Sequence, residues 1–309
     1  MLVGSSLAGA ARVRGEAARV HEGFDLNQRV SQGETIVLAR VLKVPGKAHV
    51  EVIERLRGPA DLPAELRIAY RGANRMRPSG SPPFEVAEGE VAFFVLEPWL
   101  DSRGERPALD LYQPAIGYRS HIPLPEEGRQ ALLEAVRALV AYQDDVDRLR
   151  AEGRLVGWLA GSNPYLVDIA LDQAARFGLA DARWIPGLLE RSRDADPRRR
   201  RLAAEAMGLS LLRGRLHDPK HHRDEGEGSV LAAECEQALV RLARSDPRAE
   251  VRLMAVRKLA ESGLAVDTVL AAIAREDRDQ SVRLEAATAV HRWRSQHSRK
   301  GRRNSATGR

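Results

Sequence analysis

The spacing of apolar residues divides the chain into a first part that favours strands and a second part that favours helices. From residue 34 to about residue 124, short runs of β-branched and aromatic residues alternate with turns that contain Gly or Pro, which is typical of short strands. From residue 125 to about residue 294, apolar residues recur at steps of three and four, which is typical of amphipathic helices. We therefore predict an α+β protein with a β domain followed by a helical domain.

The first domain, residues 34–124, contains five or six short candidate strands. They cover residues 35–44, 49–56, 66–70, 89–96 and a last pair at 112–116 and 118–122. A loop rich in Gly, Pro and Ser separates the third strand from the fourth. Short strands of this kind bury their apolar faces by closing on themselves, which also leaves no unpaired edge. The prediction is a small antiparallel β-barrel.

Several features of this domain are similar to those of netrin-like, or tissue-inhibitor-of-metalloproteinases-like, OB folds. They are a first strand with Arg40-Val41, the segment 50–54 leading to Leu56-Arg57-Gly58-Pro59, and Gly89-Glu90 before an apolar strand with Phe93-Phe94. The resemblance implies an OB-like barrel. Those inhibitors chelate the metal of their target through an N-terminal cysteine. This sequence has no such cysteine, so protease inhibition is not implied.

Two further segments border the predicted barrel. Residues 1–33 are rich in Ala, Arg and Gly and then polar, without a sustained period. We predict a disordered segment or the remnant of a signal peptide, because Ala8-Gly9-Ala10 has the small-x-small form of a cleavage site. Residues 125–152 have one apolar face, which includes Val146 and Leu149. This pattern predicts a single connecting helix, ended by Gly153, between the barrel and the helical region 153–294.

The helical region contains the strongest internal repeat of the sequence. The motif Asp-x4-Val-Arg-x2-Ala begins at Asp246 and again at Asp277, 31 residues later. Earlier copies begin at Asp196-Pro197 and, more weakly, at Asn163-Pro164. An Asp or Asn at such a point caps a helix, and Pro is tolerated in the first turn. Second helices are predicted at residues 185–191, 231–243 and 266–274.

This repeat resembles HEAT repeats of the type found in phycobilisome lyases. In that family the aspartate and arginine positions bridge successive units, and three or more two-helix units stack into a curved α-solenoid. The resemblance implies a solenoid over residues 153–294 whose concave surface binds another protein. The lyase branch of the family attaches bilins to proteins, so a bilin-lyase-like enzyme, or a partner of such an enzyme, is an alternative.

The net charge of +6 is concentrated near the C-terminal end of the sequence. Residues 291–309 contain seven Arg and Lys residues and no Asp or Glu, so the other 290 residues carry a charge near −1. A nearly neutral body does not support a nucleic-acid-binding surface on the folded domains. Nucleic-acid contact through the tail stays open as a second alternative. Residues 295–309 have almost no apolar side chains, so we predict a disordered basic tail.

A polar segment between two predicted helices holds the densest group of candidate metal ligands. Within residues 213–229 these are His217, Asp218, His221, His222, Asp224, Glu225 and Glu227. Such residue types bind zinc and other divalent cations. However, they have no defined helical spacing, and Gly226 and Gly228 indicate a loop. We therefore interpret the segment as a solvated insertion and not as a metal site.

Other residues that resemble site residues have simpler interpretations. Cys235 lies in an Ala/Leu-rich helix with no His at a helical step, which favours a small buried side chain over a nucleophile. The run Asp144-Asp145-x-Asp147 lacks the Gly and the closing Glu of a calcium loop, and we interpret it as the polar face of a helix. Trp158, Trp184 and Trp293 are assigned to packing. Trp99, in a Pro-rich loop, is the tryptophan that best suits an exposed binding role.

These observations predict a function without catalysis. The sequence contains no phosphate-binding loop, nucleophile elbow or zinc-protease motif. We therefore assign no catalytic, cofactor-binding or metal-binding residue, expect no membrane span, and predict a non-catalytic scaffold that binds a protein partner through the solenoid. The single cysteine excludes an intramolecular disulfide, which is compatible with the cytoplasm and, if a signal peptide precedes residue 1, with a bacterial envelope.

Overall fold

The computed structural model consists of a unit built around a β-barrel and a helical unit. It describes residues 26–44, 47–70, 85–177, 182–216, 227–263 and 266–306. The barrel unit comprises Met1–Arg154 together with Asn163–Leu166, and the helical unit comprises Leu155–Ser162 together with Val167–Arg309. The strands belong to the first unit, and a long succession of helices follows them. The α+β prediction is therefore confirmed.

Six strands form the sheet of the barrel unit. They are β1 (Thr35–Lys43), β2 (Ala48–Arg57), β3 (Glu65–Ile68), β4 (Val91–Pro98), β5 (Leu111–Pro114) and β6 (His121–Pro123). The strand order is β1-β2-β3-β5-β4, and an additional antiparallel pairing of β4 with β1 closes a five-stranded barrel. The short strand β6 pairs with the first half of β4. Closure removes the exposed edges that an open sheet of this size would have.

One pairing differs from the predicted antiparallel arrangement. Strands β3 and β5 run parallel, with Arg67 opposite Leu111 and Ile68 opposite Tyr112. A parallel pair requires a crossover connection, and here β4 lies between the two strands in the chain. The alternation of apolar residues records which face of a strand is buried, but it does not record the direction of the neighbouring strand. The sequence pattern therefore could not reveal this pairing.

Apolar side chains from all five strands of the closed barrel fill its interior. Inward-facing residues alternate along the strands, as the period of two requires. The core consists of Val37, Ala39, Val41, Ala48, Val50, Leu66, Ile68, Ala92, Phe94, Leu96 and Tyr112. The barrel interior is thus a packed core, which leaves the outer face and the loops of this unit for other contacts.

Arg57, at the end of β2, holds neighbouring segments of the chain against the barrel. Its Nη1 donates to the carbonyl oxygens of Val30, at 2.9 Å, and Gly33, at 3.0 Å. Its Nε donates to Asp144 Oδ1 at 2.9 Å, and its Nη2 donates to Gln143 Oε1 at 3.1 Å. The arginine of the Leu-Arg-Gly-Pro motif thus has a structural role in this chain.

Ten helices lie before and after the barrel strands in the part of the chain that the structure describes. They are α1 (residues 26–31), α2 (Arg129–Gln143), α3 (Arg148–Ala160), α4 (Pro164–Phe177), α5 (Ile185–Arg191), α6 (Pro197–Leu216), α7 (Glu227–Ser245), α8 (Ala249–Ser262), α9 (Ala271–Glu276) and α10 (Gln280–Ala306). Short 3₁₀ segments cover Gly117–Ser120 and Ala182–Trp184, and a π-helical segment, Val266–Leu270, precedes α9. The predicted second helices coincide with α5, with α7 and with the π segment plus α9.

The predicted single helix over residues 125–152 is wrong, because the structure has two helices there. Helix α2 ends at Gln143, and α3 begins at Arg148 and passes through Gly153. The side chain of Asp147 accepts the backbone N–H groups of Leu149, at 3.0 Å, and Arg150, at 3.3 Å, so it caps a new helix. Val146 and Leu149, which the periodicity placed on the apolar face, are 101% and 72% exposed.

Both ends of the described chain contain helix where disorder was predicted. Residues 26–31 form α1, in which Leu26 and Val30 are 3% and 0% exposed; residues 1–25 lie outside the described residues. The backbone of α10 continues to Ala306. Its last part is rich in Arg and contains no Pro, so the sequence is compatible with a helix even though it is almost free of apolar side chains.

Candidate binding site on the helical unit

An aspartate–arginine ladder links helices of the helical unit. Arg200 of α6 donates from Nε and Nη2 to the two carboxylate oxygens of Asp246, at 2.6 and 3.0 Å. Arg252 of α8 makes the same pair of bonds with Asp277, at 2.8 and 2.9 Å. The side chains of both pairs are largely buried, with exposed fractions of 11% and 2% for the first pair and 3% and 6% for the second.

Each ladder position also fixes the turn that precedes its own helix. The Nη1 atoms of three arginines donate to the carbonyl oxygen six residues earlier: Arg200 to Asp194 at 2.8 Å, Arg252 to Asp246 at 2.8 Å, and Arg283 to Asp277 at 2.7 Å. The three aspartate carboxylates accept the backbone N–H two residues later, from Asp196 at 2.9 Å, Arg248 at 2.9 Å and Asp279 at 2.8 Å. The same residues therefore fix the turn before each helix, and Arg200 and Arg252 also bind the aspartate of the next copy.

These contacts correct the alignment of the copies. The copy predicted to begin at Asp196 begins at Asp194, because Asp194 makes the contacts that Asp246 and Asp277 make. Asn163, 31 residues before Asp194, accepts the N–H of Tyr165 at 3.1 Å in the same way. Asp196 was chosen because it precedes a proline; its carboxylate accepts the N–H of Arg198 at 2.8 Å, as a local cap does.

The first copy departs from the ladder. Six residues after Asn163 stands Ile169, where the later copies have arginine. In this first copy a different pair of residues makes the contact, because Arg199 Nε donates to Asp168 Oδ1 at 2.6 Å. Burial raises the pKa of Asp168, although the hydrogen bond and charge of Arg199 act in the opposite direction. Since a buried carboxylate needs a partner, this pair joins α4 to α6 without a ladder arginine.

A groove of about 580 Å³ lies between α5 and α7 of the helical unit. Its lining includes apolar surface from Pro186, Leu189 and Ala238, the polar side chain of Gln237, and the charged side chains of Glu190, Arg191, Arg193, Asp194, Glu234 and Arg241. A groove of this volume has room for several side chains of a bound molecule. Its mixture of apolar walls and charged groups suits a peptide or protein ligand.

A buried serine positions one of the arginines in this groove. Ser192, which is 1% exposed, donates its hydroxyl hydrogen to the carbonyl oxygen of Leu189 at 2.7 Å. A hydroxyl has a single hydrogen, so its oxygen acts as the acceptor for Arg241 Nη2, at 2.7 Å. Burial and the charge of Arg193 lower the pKa of Arg241. Both guanidinium groups line the groove, and the charge of Arg193 acts on that of Arg241.

Arg193 and Arg241 differ from the arginines around them. Arg191 pairs with Asp194 at 3.4 Å, and Arg200 and Arg252 of the ladder each bind a carboxylate. Among the described residues, neither Arg193 nor Arg241 forms an ion pair with a carboxylate. Glu234 precedes Arg241 by seven residues on α7, which is about 10 Å along the helix axis. The groove thus carries two cations that lack an anionic partner in the described chain.

A smaller groove of about 340 Å³ lies between α8 and α10. Leu253 and Leu284 line it, and Leu284 is 67% exposed. At its edge, Arg257 Nε donates to Glu285 Oε2 at 3.1 Å, with both side chains partly exposed. Ser281, Thr288 and Arg292 also line this groove, so it offers both apolar and polar surface to a ligand.

Of the candidate residues from the sequence, Cys235 lies within the described residues, whereas most of the His-rich group lies outside them. Cys235 is buried, as predicted, with 1% exposure, and burial raises the pKa of its thiol to about 11. A thiol with so high a pKa is a poor nucleophile at neutral pH. The His-rich group from His217 to Glu225 lies outside the described residues, and Glu227 is the first residue of α7.

The three aspartates that resemble part of a calcium loop lie in the turn between α2 and α3, and not on the face of one helix as predicted. Asp144 accepts hydrogen bonds from Arg57, Asp145 pairs with Arg154 at 3.2 Å, and Asp147 caps α3. Each has a structural partner, so the run is explained by the break between the helices.

The tryptophans divide between the core and a partly buried position. Trp184 is 1% exposed, which confirms its assignment to packing. Trp99, for which an exposed role was predicted, is partly buried, and its backbone N–H donates to Leu111 O at 3.1 Å. The sequence therefore pointed to Trp99 and missed Arg193 and Arg241, because their significance depends on which arginines acquire partners in the folded chain.

The described residues contain no group of three or more His, Cys, Asp or Glu side chains placed to hold a metal ion. None of the helices described has both the length and the apolar character needed to cross a membrane. No family model, curated protein or solved structure matches the chain.

Proposed function

We propose that the protein is a non-catalytic scaffold that binds a protein partner through its helical unit. The aspartate–arginine ladder is the observation that carries this proposal. The same side-chain contacts recur at Asp246 and Asp277 and join one copy of the sequence repeat to the next. Such contacts are expected of HEAT-type units stacked into a solenoid, and stacked units present extended surfaces for protein binding.

The barrel unit supports a secondary part of the proposal. Its closed five-stranded barrel agrees with the OB-like domain that the netrin-like resemblance implies. Its interior is filled by apolar side chains. We therefore propose that this OB-like domain does not enclose a ligand.

Site-specific photo-crosslinking in cells that produce the full chain tests the scaffold proposal. A photoreactive amino acid replaces Gln237 in the larger groove or Leu284 in the smaller groove. Matched control positions on the barrel unit are Ile53 and Leu100, which are 47% and 50% exposed. We expect a discrete crosslinked partner from the helical unit. Crosslinks from the barrel positions alone, or from none of the four, would contradict the proposal.

The same purified protein distinguishes the two alternative functions. A bilin-lyase-like enzyme that carries its pigment would absorb visible light, whereas the scaffold proposed here would not. Nucleic-acid contact through residues 291–309 would weaken steeply with salt and would disappear when the basic residues of that segment are replaced by Gln.

A further inference from the structure

The groove between α5 and α7 has the features of an ion-pair site that lacks one partner. Arg193 and Arg241 line it together, and neither has a carboxylate partner among the described residues. We infer that the groove binds an acidic segment of the partner protein, with a carboxylate of that segment between Arg193 and Arg241. This inference rests on the proposed scaffold function and specifies the chemistry of the partner.

The ladder of the same unit shows what a guanidinium group binds here. Arg200 and Arg252 each hold one carboxylate through two parallel N–H···O bonds, a geometry that adds both strength and direction. Arg241 uses one of its five N–H groups on Ser192, which leaves four for a ligand. Because Ser192 is buried and its hydrogen is committed to Leu189, Arg241 is held in place before any ligand arrives.

The lining of the groove favours an acidic peptide over a phosphate-rich ligand. Glu190 and Glu234 also face the groove, and they would repel the two charges that a phosphate group concentrates at one point more strongly than the single charge of a carboxylate. The apolar surface of Pro186, Leu189 and Ala238 would instead contact the side chains that flank a carboxylate in a peptide. The volume of about 580 Å³ exceeds what one carboxylate fills and fits a short segment of chain.

Fluorescence anisotropy with a labelled hexaglutamate peptide tests this inference at low ionic strength. Since the basic residues of the tail also attract such a peptide, every measurement uses the full chain with Arg299, Lys300, Arg302 and Arg303 replaced by Gln. In this background we expect saturable binding that weakens at least tenfold in the double variant Arg193→Gln/Arg241→Gln. Glu234→Gln, which removes an opposing charge, should tighten binding about two- to fivefold.

The matched control is Arg244→Gln/Arg275→Gln. It removes the same charge from exposed arginines of the helical unit that do not line the groove, and we expect less than a twofold change. A labelled hexaglutamine peptide should not bind, and millimolar inorganic phosphate should not displace hexaglutamate. Circular dichroism melting of each variant confirms that it is folded.

The possible results separate this inference from the scaffold proposal. Equal weakening in the groove and control variants, displacement by phosphate, or no hexaglutamate binding up to about 1 mM would overturn the acidic-segment inference. If the crosslinked partner persists in Arg193→Gln/Arg241→Gln, the scaffold function stands and the groove is not its acidic-peptide site. If no partner is crosslinked but hexaglutamate binds in the groove as expected, the site stands and the scaffold function fails.

Discussion

Gly208 of α6 lies directly against the side chain of Lys258 of α8. A Cβ atom at Gly208 would lie 2.4 Å from Cβ and 2.5 Å from Cγ of Lys258. These atoms lie at the base of the lysine side chain, and its Nζ binds Glu261 at 2.8 Å, so the side chain cannot easily move aside. The absence of a side chain at Gly208 therefore sets the distance between two helices.

Gly208→Ala should lower the free energy of unfolding by about 1–3 kcal/mol, as overpacking does, despite a gain of up to about 1 kcal/mol in helix propensity. The matched control is Gly157→Ala in α3, where a new Cβ would meet nothing within 4 Å. It should leave stability unchanged or raise it by up to about 1 kcal/mol. Urea unfolding of both variants measures the difference; equal effects would show that the α6–α8 contact is not tight.

The buried His121 should make the free energy of unfolding depend on pH near neutrality. Burial lowers the pKa of His121 below its usual value of 6.5, although the charge of Glu90, whose Oε1 lies 2.9 Å from Nε2, acts in the opposite direction. The charge of Arg29 also lowers this pKa. The unfolded chain therefore takes up a proton near pH 6.5 that the folded chain takes up only at lower pH. Stability should rise with pH across this window and fall on acidification, by at most about 1.4 kcal/mol per pH unit.

Urea unfolding at pH 5.5 and 7.5 measures this effect. His121→Gln should reduce the difference in unfolding free energy between the two values, because the titrating group is gone. An unchanged difference would assign the pH dependence to other groups.

At the scale of the helices and strands, we expect the burial of an aspartate–arginine pair to decide how much stability is lost when its carboxylate is removed. Asp246→Ala leaves the guanidinium of Arg200, 11% exposed, without its two charge-assisted bonds, and should cost about 3–5 kcal/mol. Asp110→Ala breaks a pair of similar geometry with Arg67, at 2.6 and 2.8 Å, but those side chains are 37% and 35% exposed. Its loss should cost about 0–1 kcal/mol.

Thermal unfolding followed by circular dichroism compares the two aspartate variants. Similar losses of stability would mean that the ladder contributes no more than a surface ion pair. A large loss for Asp246→Ala alone would assign the ladder a main part in holding successive copies together.

Some of the helices and strands could be predicted from the sequence, and others could not. The strands were found because alternating burial leaves a direct trace in the sequence, and the helix start at Asn163 because this side chain caps the first turn. The turns at Asp246 and Asp277 were found because their motif recurs 31 residues apart. The two-residue error at Asp196 arose because a proline marks a first turn without showing which aspartate makes the recurring contacts. The break after Gln143 was missed because an apolar period continues through Val146, although Asp147 caps a new helix that begins at Arg148.

At the scale of the whole molecule, the boundary between the units depends on contacts that sequence spacing does not record. The predicted helical region begins at Gly153, after a connecting helix, but this residue lies within α3. The barrel unit runs to Arg154 and also includes Asn163–Leu166. Asn163 Nδ2 donates to Ala131 O of α2 at 2.8 Å, which ties this short segment to the first unit. A chain cut at residue 152 would therefore lose part of the barrel unit.

The single cysteine gives the helical unit an internal reporter of its own opening. Cys235 is buried, and its pKa is about 11, so at pH 8 only about one thiol in a thousand would be ionised even if it were reached. A thiol-specific reagent should therefore label the folded chain slowly and the chain in guanidinium chloride at once. The labelling rate then measures how often α7 moves away from its neighbours.

The residues on either side of this thiol connect the reporter to binding. Glu234 lines the groove directly beside Cys235 in sequence, and Ala238 lines it one turn later. A ligand that binds the closed groove and not the opened helix stabilises the closed state according to its concentration and affinity. The rate at which the reagent labels Cys235 should therefore fall as the groove becomes occupied. Protection of this one sulfur atom would then detect the binding of a partner that carries no label.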